Sequence, residues 1–239
     1  MKPVLLLLFL TCASFLTGAA HGASVLTGFP FTDESLAYKI SGPAGIPLGD
    51  VRFTAKHGSE GWSFEMKSDA GIPGYPVKDT YTSRINSDFC SAVFNRSFEH
   101  GHYKGREEES IDRSQETVTR ATISGGIGTG GKSQFPISDC VKDALAMVYY
   151  TRQELGQGRV PSAQSILLGG LYDITLVYGG PQTIPSGDKT VVTDKVLATV
   201  KGPASRVDFE MYFARDAART PLLVKVPLAL GSLSLELVR

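Results

Sequence analysis

The stretch LAYKISGPAGIPLGDVRFTA, Leu36 to Ala55, decides the fold. Leu36, Tyr38 and Ile40 alternate with Ala37 and Lys39, and Val51, Phe53 and Ala55 alternate with Arg52 and Thr54. A period of two residues turns one face of each segment toward a core and the other toward water, which is a half-buried β-strand. The link SGPAGIPLGD is rich in glycine and proline and too short for a helical crossover, so the two strands run antiparallel.

The same alternation recurs along the chain. In Trp62 to Lys67 the polar face is Ser63, Glu65 and Lys67. Tyr81 to Phe89 and Glu116 to Ile123 are β-like, and further strands are predicted at Tyr172 to Tyr178, Val191 to Val200, Arg206 to Phe213, Leu222 to Val226 and Leu233 to Val238. In the last, Leu233, Leu235 and Leu237 point one way, and Gly231-Ser232 reads as a hairpin tip. One segment, SDCVKDALAMVYYTRQELGQGR, breaks the pattern: Leu145, Val148, Tyr149, Arg152 and Leu155 recur at helical spacing. Ser138 or Asp139 is placed to cap its start and Gly156 to end it, which predicts a helix over about 139–155.

The first residues, MKPVLLLLFLTCASFLTGAAHGA, have the layout of a cleaved secretory signal: Lys2, an apolar run from Val4 to Leu16, then small residues. That run is shorter than the roughly 20 helical residues a bilayer core requires. The expected organisation is a signal peptide at 1–23 and a single β-rich domain at 24–239, exported, with the periplasm favoured over outer-membrane association or secretion. Basic and acidic side chains are equal in number, and removing Lys2 leaves the acidic ones one ahead. This balance argues against broad attraction to nucleic acid. Cys12 leaves with the signal, and Cys90 and Cys140 are expected to pair in an oxidising compartment.

Gly125 to Ser133, GGIGTGGKS, matches both G-x-x-x-x-G-K-S and G-x-G-x-x-G. A phosphate-binding loop needs a helix to begin at the Lys-Ser pair, so that free backbone N–H groups converge on phosphate. Here Gln134, Phe135 and Pro136 follow, and proline biases the residue before it away from helical geometry. No nucleotide is expected. Glu99-His100-Gly101-His102 reads as a hairpin tip rather than a metal site, and Glu107-Glu108-Glu109 as a solvated run rather than a catalytic pair. No G-x-S-x-G elbow is present. The sequence thus gives no catalytic residue, metal ligand or cofactor, and leans away from an enzyme.

The chain resembles the DUF3108 family of exported bacterial proteins of unknown function. The likeness rests on Phe29-Pro30-Phe31 with Leu36-Ala37-Tyr38, on the helix motif D-A-L-x-x-x-Y-Y-x-R from Asp143 to Arg152, and on D-x-x-R-x-P-L from Asp216 to Leu222. The resemblance implies a mainly β, antiparallel, curved or half-open sheet, half-barrel or sandwich-like, around one principal helix. It brings no established activity. Tyr149, Tyr150 and Arg152 then become candidates to line a cavity and orient a ligand. The rival reading is a polar tether between helix and sheet, with Asp143, Asp216 and Arg219 as its other members and Asp216 either a carboxylate for Arg152 or paired locally with Arg219 around the turn. The expected function is a non-catalytic envelope domain that binds a lipid-like small molecule or an envelope protein. The alternatives are an envelope hydrolase acting on carbohydrate or ester, and a structural or assembly component.

Overall fold

The alternation in Leu36 to Ala55 builds the first hairpin of the computed structural model, which describes residues 33–124, 130–138, 140–229 and 231–238. Strands β1 (Asp33–Ser41) and β2 (Pro47–Gly58) pair antiparallel, with Leu36 opposite Phe53 and Tyr38 opposite Val51. The link between them forms a single 3-10 turn at Pro43–Gly45. The meander continues through β3 (Gly61–Ile72), β4 (Tyr75–Ile85), β5 (Ser91–His100), β6 (Tyr103–Asp112), β7 (Thr117–Ser124) and β8 (Gly131–Pro136). After a short strand β9 (Lys142–Asp143) comes the helix α1 (Ala144–Gly156). The chain then runs through β10 (Gln164–Leu167), β11 (Leu171–Ser186), β12 (Lys189–Lys201), β13 (Arg206–Ala214), β14 (Pro221–Leu228) and β15 (Gly231–Leu237).

All of these strands belong to one open sheet in the order β8-β7-β6-β5-β4-β3-β2-β1-β15-β14-β13-β12-β11-β10-β9. Every neighbour pair is antiparallel except β9 with β10. The pairing of β1 with β15, Tyr38 opposite Leu237, joins the N-terminal and C-terminal halves into one surface. That surface curls around α1. Leu145, Ala146 and Tyr149 pack with Trp62, Phe64 and Phe94 from the first half, while Met147 and Leu155 pack with Ile174, Val196 and Phe213 from the second. A helix buried on most of its sides, with Thr151, Arg152 and Glu154 among its buried residues, follows from a sheet folded round it.

The β9 end of the sheet folds back on the first half, where Ser91 N–H of β5 donates to Val141 O at 2.9 Å. Val118, Ile137, Val141 and Leu167 form a buried cluster there, and an Arg120 Nη1 donates to Gly169 O across the seam. Cys90 and Cys140 form a disulfide, with Cα atoms 4.8 Å apart, which fixes the segment leading into β9 against the start of β5.

The helix begins later than the spacing predicts. Residues Lys142 and Asp143 are extended because they pair in parallel with Ile166 and Leu167, so the cap is Asp143 rather than Ser138. Asp139, the proposed signal peptide and most of the glycine-rich stretch lie outside the described residues. Lys132 and Ser133, the end of that stretch, sit in β8 and not at a helix start.

Candidate functional site

Asp143 anchors the entrance of the helix. Its Oδ1 accepts the backbone N–H groups of Leu145 and Ala146, both at 2.9 Å. Its Oδ2 accepts the hydroxyls of Ser83 at 2.5 Å and Ser91 at 2.6 Å. The helix N-terminus is thereby tied to β4 and β5 through one fully buried carboxyl, whose pKa is raised because burial outweighs those four bonds.

Arg152 is buried on the same helix. Its Nη1 and Nη2 donate to Glu34 Oε1 and Oε2 at 2.6 and 2.7 Å, a bidentate pair with β1, and its Nε donates to Ala218 O at 2.9 Å in the β13–β14 turn. Asp216, named from the sequence as the carboxylate for Arg152, is occupied elsewhere: it accepts Thr220 N and Thr220 Oγ1 within its own turn. Arg219 does not pair with Asp216 either. It reaches Asp194 Oδ2 at 2.8 Å, while Asp194 Oδ1 accepts from Arg215 and from Tyr178 Oη. The turn thus braces β12, and its Ala218 carbonyl meets the helix.

Between α1 and the inner face of β10–β13 lies an apolar cleft of about 420 Å³. Val148 and Met147 form its helix side, and Ile174, Val200, Phe209 and Met211 its floor. The strand alternation explains the floor: Phe209 and Met211 point inward, with Glu210 between them on the other face paired to Lys195. A second chamber of about 160 Å³ adjoins it, sharing Val148, Phe209 and Met211, and is lined further by Leu36, Phe53, Tyr149 and Arg152. By contrast, a depression around Lys39, Asp50, Arg52 and Lys67 is lined largely by charged and polar side chains.

Of the three residues read as ligand contacts, Tyr149 and Arg152 line the smaller chamber. Tyr149 also stacks on Phe64, ring centroids 4.1 Å apart, and burial pushes its phenol pKa up. Tyr150 points elsewhere, toward Phe89 and under Lys142 Nζ, 4.4 Å from its ring centroid. Sequence reasoning did not single out Phe209, Met211 or Glu34; the alternation in Arg206 to Phe213 carried the first two.

The run Glu107-Glu108-Glu109 is not a solvated strand throughout. Glu108 pairs outward with Arg106, but Glu109 is 1% exposed because it sits in register with the core residue Phe94 and so faces inward. Neither of its carboxyl oxygens has a hydrogen-bond partner among the described residues, and burial raises its pKa to about 8. Of the histidines in Glu99 to His102, His100 ends β5 with its Nε2 3.0 Å from Asp79 Oδ2, and His102 is exposed in the β5–β6 turn.

An open antiparallel sheet curled round one helix, with an apolar cleft between them, is a β-barrel-like architecture. The chain belongs to the family described as protein of unknown function, DUF3108, whose family model matches residues 36–238. Among solved structures it is similar to a β-barrel-like protein of the DUF1849 domain of unknown function from Brucella abortus. The identity is 9%, with 87% of this chain and 97% of that chain covered and a TM-score of 0.61. This likeness is one of fold alone. A candidate exported protein with a YmcC-like fold from Bacteroides fragilis also matches, at 6% identity over 89% of this chain and 98% of that one, with a TM-score of 0.31. No curated protein matches the chain.

Proposed function

We propose that this protein is an exported, non-catalytic binding domain that houses the apolar part of a lipid-like ligand between α1 and the inner face of β10–β13. The observation that carries the reading is the cleft itself: about 420 Å³, within the range of small-molecule sites, with Val148, Ile174, Val200, Phe209 and Met211 on its walls. A fully packed core has no need of such a space. Export is supported by the signal-like N-terminus and by the Cys90–Cys140 disulfide, which is at home in an oxidising compartment. The hydrolase reading lacks a comparable observation, since Glu34 beside the smaller chamber is held by Arg152.

The test is native mass spectrometry, then organic extraction, of protein purified from its own exported compartment. A reproducible bound amphiphile is expected, and Val148→Trp, which fills the cleft from the helix side, should abolish it while the fold persists. Protein that is apo on purification and takes up no fluorescent fatty acid would sink the reading.

A further inference from the structure

The two ends of the sheet differ in chemistry. Because the strands from β1 to β8 and from β10 to β15 follow one another as antiparallel neighbours, successive turns fall alternately at opposite ends. The β1–β2, β3–β4, β5–β6 and β14–β15 turns share one end, the last brought beside the first by the β1–β15 pairing, where Gly231 approaches Pro43. At or beside these turns stand Ile46, 57% exposed, Ile72, 61%, Tyr75, 50%, Tyr103, 57%, and Leu228, 48%.

The turns at the other end carry Glu60, Asp88, Arg113, Glu116, Asp188 and Asp216, and among the described residues none of them exposes a large apolar side chain. Other exposed apolar side chains, among them Val177, Tyr178, Val192 and Leu197, lie along β11 and β12, but among the described hairpin turns the exposed apolar tips fall at one end only. The apolar cleft reaches toward this same end: Ser205 and Val207, beside the β12–β13 turn, line it together with Tyr172 at the start of β11.

We infer that this end is a docking rim for a phospholipid bilayer surface, into which the tips of the hairpins insert their apolar side chains. The tips belong to separate turns and present points rather than one flat patch, which suits entry among lipid headgroups better than the continuous area a stable protein interface needs. Tyrosine beside isoleucine and leucine is the composition of a membrane-interface belt. The cations beside these tips are engaged within the protein, Lys78 by Asp69 at 3.2 Å and Lys104 by Glu99 at 3.1 Å, while Lys132 and Lys201 stand exposed farther along the same end. Attachment therefore relies on apolar insertion and not on attraction to anionic lipid. The inference goes beyond ligand binding in the cleft and does not require it.

The experiment is co-sedimentation of the mature protein with neutral phosphatidylcholine vesicles at low and high salt. The wild type is expected to bind equally at both. The combined variant Ile46→Ser, Ile72→Ser and Leu228→Ser should lose at least tenfold in partitioning while keeping its circular dichroism and its uptake of a soluble fluorescent fatty acid, or lack of it. Tyr103→Ser alone, a single change on another turn, should weaken partitioning severalfold and guards against misfolding of the combined variant. Absence of wild-type binding, equal binding by the variants, or binding only to anionic vesicles at low salt would each overturn the inference. Photocrosslinking from Ile72 in cells to one protein, without vesicle binding in vitro, would overturn it in favour of a protein partner.

Discussion

Replacing Glu109 by glutamine should stabilise the protein at pH 8 and leave it nearly unchanged at pH 4.5. The native state buries this carboxyl opposite Phe94 on β5 and Arg120 on β7, yet the Arg120 guanidinium turns to Gly169 O, and burial rather than any partner sets the pKa. Glu107 and Asp143 nearby push it in the same direction, and Arg120 opposes them. The sign follows from proton counting. An unfolded chain releases this proton near pH 4.5, whereas the folded protein keeps it until about 8, so the folded state holds more protons across that window and loses stability as pH rises. Over the whole window the loss is at most about 5 kcal/mol, less if water reaches the site. Glutamine is close in shape and never ionises, so it removes the loss. At roughly 2–4 °C per kcal/mol for a domain of this size, the variant should melt about 5–15 °C above wild type at pH 8. Thermal melts of both proteins from pH 4.5 to 8 make the comparison. Parallel curves, or a variant less stable than wild type at pH 8, would refute the reasoning, the second outcome meaning that the native carboxylate is ionised and paired.

The disulfide closes a loop with a sequence separation of 50, and replacing Cys90 and Cys140 with serine should cost about 4 kcal/mol in the chain-entropy account, read by urea denaturation. A loss below about 1 kcal/mol would mean that the seam cluster of Val118, Ile137, Val141 and Leu167 already holds this segment. Arg152→Met should cost about 3–5 kcal/mol because it strands Glu34, and adding Glu34→Gln should recover part of that loss. Equal losses in the single and double variants would show that Arg152 acts through packing alone.

The legible part of the fold was its strand pattern. Wherever one face of a strand is buried and the other wet, as in Leu36 to Ala55 or Leu233 to Leu237, alternation alone marked the element and its inner face. The helix was legible in its body but not in its start. Asp143 caps it because Lys142 and Asp143 are held extended beside Ile166 and Leu167, a pairing between residues far apart in the chain that local capping rules cannot see. For the same reason Arg152 was readable as a buried cation needing a partner, while Glu34, separated from it by 118 positions, was not readable as that partner.

The strands that escaped notice were β5, β6, β8, β9 and β10, and for β5 and β6 the reason lies on their inner faces. Arg96, Glu107 and Glu109 stand where apolar residues would have made the alternation visible, with Arg96 held instead by Asp79 and by the rings of Tyr81 and Phe98. Missing β5 and β6 together leaves the count of chain reversals between β4 and β7 even, so the direction of β7 relative to β1 is still assigned correctly. What the omission hides is Tyr103 at the tip between them, and with it the spread of exposed apolar tips from Leu228 to Tyr103 along one end of the sheet. Polarity at turns therefore carries functional information only after the strands have been counted, because the count alone separates a scatter of exposed side chains from a rim.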